Sequence, residues 1–294
     1  MSRKKLIPFL IFAMILWGGS WTSGKMITFA TPPEAVIFWR FFLTTLSILP
    51  LVFFFKASLK VSLKELLLLA LGGLIIFIYN IGFLFGVKNG FAGAGGVIVT
   101  GLNPVFTFLL TIIIVREKAS LKQGFVLVMG FSGGLIMLKI WNASWTQILD
   151  GGNLFFLMAS VSWAFLTILS SRIQKKVHFI TYSFFVYGFC SIYGLFFSLA
   201  NDALFPIPSE IPFWLNITYL SIGATTIATT IYFLCTRELG SRLASSFIFT
   251  VPVSAVFFSW LLLGEIPQLT TVAGGALTIT SVYLINREKG RNKG

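Results

Sequence analysis

Acidic side chains are scarce in this chain: nine Asp and Glu in 294 residues, beside 22 Lys and Arg, one His and two Cys. Cys190 and Cys235 fall inside apolar stretches at unrelated positions, so neither a disulfide framework nor a cysteine metal site is implied. The lone His178 sits in a basic turn and reads as a solvated loop residue; no metal and no cofactor is expected. Charged residues make up 11% of the chain, well under the roughly 25% of an average soluble domain. The nine acids, Glu34, Glu65, Glu117, Asp150, Asp202, Glu210, Glu238, Glu265 and Glu288, all lie at or beyond the end of an apolar stretch. Proton coupling through a buried carboxylate therefore has no carrier.

Apolar sequence is what the chain has in excess: 56% hydrophobic residues and a mean hydropathy of +0.92. A membrane span takes about 20 apolar residues. Ten such stretches lie at roughly 6–24, 34–55, 65–87, 91–115, 121–140, 152–173, 179–200, 211–234, 241–263 and 268–286. They leave no room for a soluble domain. Arg3-Lys4-Lys5 before the first resembles a secretory signal, but the run continues through Trp17-Gly18-Gly19-Ser20-Trp21 to Lys25 without a cleavage pattern, as in an uncleaved first span.

A net charge of +13 raises the question of nucleic acid, and the distribution answers it. Eighteen of the 22 cations fall in alternate loops and at the two ends, while only Lys25, Lys88 and Lys139 fall in the other set, and Arg40 lies inside a span. The positive-inside rule then places both termini in the cytoplasm, which requires an even number of spans. No nucleic-acid partner is expected; the partners are the lipid bilayer and a small-molecule substrate.

The halves repeat. Asn103-Pro104-Val105-Phe106 is followed by Glu117, thirteen residues after its proline, and Val251-Pro252-Val253-Ser254 by Glu265 at the same spacing, 148 positions on. Trp17 with Lys25 in span 1 matches Trp163 with Arg172 in span 6. Two copies of a five-span unit, 1–146 and 147–294, are the simplest explanation. An odd number of spans per copy inserts them in opposite directions, and inverted repeats with proline-broken helices mark transporter binding sites. The expected fold is an all-α integral membrane protein of ten transmembrane helices in two inverted five-helix repeats.

Trp17-Gly18-Gly19-Ser20-Trp21 with Lys25, Phe38-Trp39-Arg40-Phe41, and the two helix ends Arg116-Glu117 and Leu263-Gly264-Glu265 resemble motifs of the drug/metabolite transporter superfamily, EamA type. The resemblance spans the whole chain. It implies a ten-helix bundle that moves small metabolites across a cell membrane, usually outward. Gly93-Ala94-Gly95-Gly96 departs from it, being richer in glycine than its counterpart Ser241 to Ser246.

Certain residues could carry the chemistry. A proline inside a helix lacks the N–H that would satisfy the carbonyl four residues back, so Pro104 frees that of Thr100 and Pro252 that of Ile248. Both prolines are candidate hinges, with a static kink as the alternative. Arg40 either snorkels to the interface near Glu34 or holds a substrate carboxylate in a bidentate pair. The matching stretch of span 7, Tyr187-Gly188-Phe189, has no cation, which favours the second. Trp17, Trp21, Tyr79, Asn80, Thr100, Asn103, Trp163, Thr229 and Tyr232 complete a candidate pocket for an amphipathic small molecule, such as an amino acid or aromatic metabolite. Glu117 and Glu265 read as structural residues that cap or pair near helix ends. Small-residue pairs such as Gly86 to Gly90 and Ala92 to Gly96 could form a dimer face, but close packing within a monomer is the preferred reading.

An alternating-access exporter of small organic metabolites is thus the leading function. A lipid-linked carrier flippase, or an intramembrane lipid enzyme, is the alternative. Enzymatic chemistry would want an acid, histidine or activated nucleophile at depth, and none is found.

Overall fold

A computed structural model of the chain describes residues 3–89, 92–116, 120–138, 140–142, 152–205, 209–263, 269–270, 272–277, 280–281 and 284. The described residues are helical with connecting turns, and no strand occurs among them. In chain order the helices are α1 (Arg3–Ala30), α2 (Pro33–Phe54), α3 (Leu63–Asn89), α4 (Ala92–Leu110, continued by a π-helical turn Thr111–Val115) and α5 (Leu121–Leu138). Then follow α6 (Asn153–Ile173) and α7 (Phe179–Ala200). Helix α8 is built of Ile211–Thr218, a π-helical stretch Tyr219–Thr229, and Thr230–Leu239; α9 is built of Ser241–Ser246, a 3-10 turn Phe247–Thr250, and Val251–Leu263. Among the described residues eight helices are long and apolar enough to cross a membrane, and α5, apolar over Leu121–Ile136, is a shorter ninth. Of the expected tenth span, 268–286, residues 269–270, 272–277, 280–281 and 284 are described and helical, whereas Glu117 and Glu265 lie outside the described residues.

Local sequence sets the helix limits. Pro33 starts α2, where its missing N–H costs nothing. Ser62 and Glu65 form a reciprocal capping box at the head of α3: Ser62 N–H donates to Glu65 Oε2 at 2.8 Å, and Glu65 N–H donates to Ser62 Oγ at 3.3 Å. His178 caps α7, its Nδ1 accepting from Ile180 N–H at 3.4 Å. Gly240, at φ +85°, breaks the chain between α8 and α9 in a conformation L side chains avoid.

The helix that opens each half touches the third and fourth helices of the other half. Helix α1 runs against α8 antiparallel, with Tyr219 donating to Leu16 O at 2.7 Å near one end and Cys235 beside Leu6 O near the other. It runs alongside α9 in parallel, where Ser254 donates to Met14 O at 3.1 Å and the Phe258 ring lies near Gly19. Helix α6 repeats the arrangement, antiparallel to α3 from Tyr79–Trp163 to Gly86–Phe156, and parallel to α4 from Gly95–Phe156 to Asn103–Ser160. The second helix of each half meets its counterpart: α2 and α7 lie antiparallel, with Gly194 on Phe38 at one end and Phe55 on Phe179 at the other.

Glycine makes the α3–α6–α4 junction possible. The buried Phe156 ring lies between Gly86 and Gly95, where a Cβ on either glycine would overlap it. The glycine-rich start of α4 is thus the groove for an α6 aromatic, and Gly86 is spent inside the bundle. Outward faces carry Phe29, Phe53, Phe54 and Phe196, each at least 65% exposed, as a lipid-facing surface requires. Of the two tryptophans between the halves, Trp141 is exposed; Trp145 lies outside the described residues.

Candidate functional site

Two turns into α2, Arg40 points inward and is only 7% exposed. Its Nε donates to Thr225 Oγ1 of α8 at 3.0 Å and its Nη1 to Asn80 Oδ1 of α3 at 3.1 Å. Asn80 is oriented for this by its own Nδ2, which donates to Ile76 O at 2.7 Å. The guanidinium carbon lies 5.6 Å from the centre of the Phe41 ring and 5.9 Å from that of Phe83, close enough for cation–π attraction. Among the described residues no carboxylate pairs with it. Snorkelling to the interface, the alternative left open by the sequence, is not what this side chain does.

The aromatic wall comes from both halves. Trp17 Nε1 donates to Ala224 O at 3.0 Å and to Thr229 Oγ1 at 3.3 Å. Its ring meets Trp163 edge-on at 5.0 Å, Trp163 meets Tyr79 at 4.6 Å, and Trp21 meets Phe83 edge-on at 4.9 Å. Such pairs add about 0.5–1.5 kcal/mol each beyond area burial.

The π-helical stretch of α8 supplies the opposite side. Three threonines bond to carbonyls five residues back: Thr225 to Leu220 at 2.6 Å, Thr226 to Ser221 at 3.0 Å and Thr229 to Ala224 at 2.9 Å. Its carbonyls also serve neighbours, since Ser221 O accepts from Thr44 of α2 at 3.2 Å, Ala224 O from Trp17 of α1, and Thr225 O from Tyr187 of α7 at 3.3 Å. Wide helical turns of this kind recur at functional sites. The sequence does hold a trace of it, in the doubled threonines Thr225-Thr226 and Thr229-Thr230.

These side chains line a cavity whose empty space, open solvent at its mouth included, is about 560 Å³. Of the ten residues singled out from sequence, Trp17, Trp21, Arg40, Tyr79, Asn80, Thr100, Asn103, Trp163 and Thr229 line it, while Tyr232 does not. Tyr232 stands behind the wall, fully buried, sharing a hydrogen bond with Thr167 at 2.9 Å. Ser20, Thr225 and Ile248 complete the lining together with Phe41, Ile76, Phe83, Val99 and Val251, the five that the sequence does not single out. Thr100 and Ile248, the residues four positions before the two prolines, both line this space. The prolines themselves differ. Helix α4 runs unbroken through Pro104, whereas Pro252 follows the 3-10 turn Phe247–Thr250, and Val251 N–H turns back to Ile248 O.

The whole chain, half by half, matches one family: the EamA-like transporter family, over residues 4–139 and again over 150–287. The chain belongs to the EamA-like transporter family. An uncharacterized transporter of Archaeoglobus fulgidus is 24% identical over 279 residues, 94% of this chain and 95% of its own. An S-adenosylmethionine uptake transporter of Rickettsia bellii is 24% identical over 263 residues, 86% of this chain and 84% of its own. A crystal structure 19% identical in sequence superposes with a TM-score of 0.79 over the full length of both chains, a likeness of fold. The protein is therefore a multi-pass membrane transporter of this family.

In this EamA-like chain a seam of hydroxyls leads from the cavity between α6 and α8. After Thr167–Tyr232 comes Ser170 Oγ to Thr236 Oγ1 at 2.9 Å, all four residues fully buried or nearly so. Positions 163, 167, 170 and 174 of α6 and 225, 229, 232 and 236 of α8 recur at the spacing that keeps one helix face. Both amide atoms of Gln174, at the far end of the α6 stripe, are buried without a partner. Outside the spans, burial and the nearby Arg237 lower the pKa of His178 from its ordinary value.

Proposed function

We propose that this chain exports small organic metabolites, amino acids or aromatic and amphipathic compounds, by alternating access of two inverted five-helix repeats, 1–146 and 147–294, about the Arg40 cavity. The observation that carries the reading is the composition of that cavity: Arg40, Asn80 and Trp21 from the first half face Trp163, Thr225 and Thr229 from the second. A small molecule bound there touches both halves, so it can bias which side is open. The reciprocal neighbours of α1 and α6, and the antiparallel meeting of α2 with α7, support a two-fold axis in the membrane plane. Pro104 and Pro252 act as the flexible points.

The protein resides in the cell membrane as a monomer, with both termini cytoplasmic. Inward movement is the competing direction, because the Rickettsia bellii relative is named for uptake of S-adenosylmethionine. The test is flux in proteoliposomes of the purified chain, loaded with a broad panel of amino acids, nucleosides and aromatic acids. Export is expected for at least one, with Arg40→Ala reducing it tenfold or more. A panel that stays put, together with toxic-analogue resistance in cells that ignores Arg40→Ala, would falsify this reading.

A further inference from the structure

We infer that the cavity takes a small organic monoanion, a monocarboxylate with an aromatic or apolar body and no cationic group, and that its export is electrogenic. The inference rests on the transporter reading above and narrows its substrate class.

Charge balance leads to it. Arg40 uses Nε and one Nη1 proton on Thr225 and Asn80. The guanidinium carries five N–H donors in all, so the Nη2 pair and the second Nη1 proton have no acceptor among the described residues. Arginine does not give up its charge, and a lone cation at this depth is costly. Nothing in the wall neutralises it: the seventeen lining residues include no Asp or Glu and no second cation. All nine acids of the sequence sit at or beyond span ends. A ligand carboxylate supplies the missing charge and accepts the paired N–H donors in the geometry a guanidinium prefers.

The same inventory disfavours a zwitterion. An ammonium bound here would find neutral acceptors only, beside a guanidinium, where like charges repel strongly in a low dielectric. A dianion would be half compensated. The rest of the wall, Trp17, Trp21, Tyr79, Trp163 and Phe83, presents ring surface for an apolar body.

The occupied cavity is then neutral and the empty one positive, and no mid-membrane acid carries a proton with the cargo. Each cycle therefore moves one negative charge. With the cell interior negative, the potential pushes that charge outward: ~100 mV corresponds to a ratio of about 50 for one charge.

Four phenyl compounds test this with the full chain in proteoliposomes: phenylpyruvate (anion), phenylalanine (zwitterion), phenylacetamide (neutral) and phenethylamine (cation). Binding is read as the shift in unfolding temperature in detergent. Flux is read, against protein-free liposomes, under potassium diffusion potentials of either sign. Phenylpyruvate should stabilise the protein at least tenfold more effectively than phenylalanine, and its efflux should rise when the interior is negative and fall when it is positive. Arg40→Gln should abolish the phenylpyruvate shift and leave the protein folded. Equal binding of phenylalanine or the amide, or flux indifferent to potential, overturns the monoanion assignment and leaves the transporter standing. If no compound of this set or of the broad panel binds or moves, the transporter reading falls, and this inference with it.

Discussion

Arg40 and Thr225, 185 positions apart, meet at 3.0 Å, with the guanidinium Nε donating to the threonine hydroxyl. This bond joins the second helix of one half to the third helix of the other, in the wall of the cavity. It holds Arg40 in place and leaves its charge uncompensated, so function and stability pull against each other at this residue.

Replacing Arg40 by Met tests the conflict. An uncompensated charge at a helix centre costs at least ~2.5 kcal/mol on insertion scales, and Met keeps most of the volume. The unfolding temperature in detergent should be unchanged or higher, while transport drops tenfold or more. A loss of stability matching the loss of transport would make Arg40 a structural residue.

Trp17 and Thr229 should be coupled. Trp17→Phe and Thr229→Val each remove one partner of the 3.3 Å contact; hydrogen bonds between membrane helices average about 0.6 kcal/mol and reach ~1.7. Trp17→Phe is the costlier change, because Ala224 O also loses its donor. A double-mutant cycle on unfolding should return a coupling of about 0.6 kcal/mol.

Gly95→Val should destabilise the chain by about 1–3 kcal/mol through overpacking against Phe156. Adding Phe156→Ala should recover part of that loss, although Phe156→Ala alone is also destabilising. Melting curves of the three variants check the compensation; strictly additive losses would place the strain elsewhere.

His178 gives the fold a mild pH dependence. Its folded pKa lies below the unfolded value of about 6.5, since burial opposes the charge and Arg237 repels it. A depressed value means that the unfolded chain takes up the proton first. Stability is therefore complete above pH ~6.5 and declines as the pH falls toward the folded pKa. Protonated Nδ1 also stops accepting from Ile180 N–H. His178→Asn, which keeps a capping acceptor, should flatten the dependence of unfolding temperature between pH ~5 and ~7.

Much of this was legible in the sequence, for a physical reason. In lipid a polar or charged side chain inside a span must be turned inward, so Arg40, Asn80, Asn103 and Thr229 announced the cavity before any coordinates. Apolar lining residues carry no such mark: Phe41, Phe83, Val99 and Val251 look like every other membrane residue, and their place follows only from how the helices pack. Tyr232 shows the limit of single-residue reading. It lies three residues beyond Thr229, about 60° round the helix, and that rotation turns its ring to the back of the wall and its hydroxyl to Thr167. The π-helical stretch left only the doubled threonines as a trace, since hydrophobic periodicity does not tell a five-residue bond from a four-residue one.

That stretch, Tyr219–Thr229, behaves as a keystone. Three of its carbonyls, at 221, 224 and 225, accept from α2, α1 and α7. Tightening it to ordinary α-helical winding would re-aim those oxygens together, so one change of pitch would disturb the contacts with all three neighbouring helices at once.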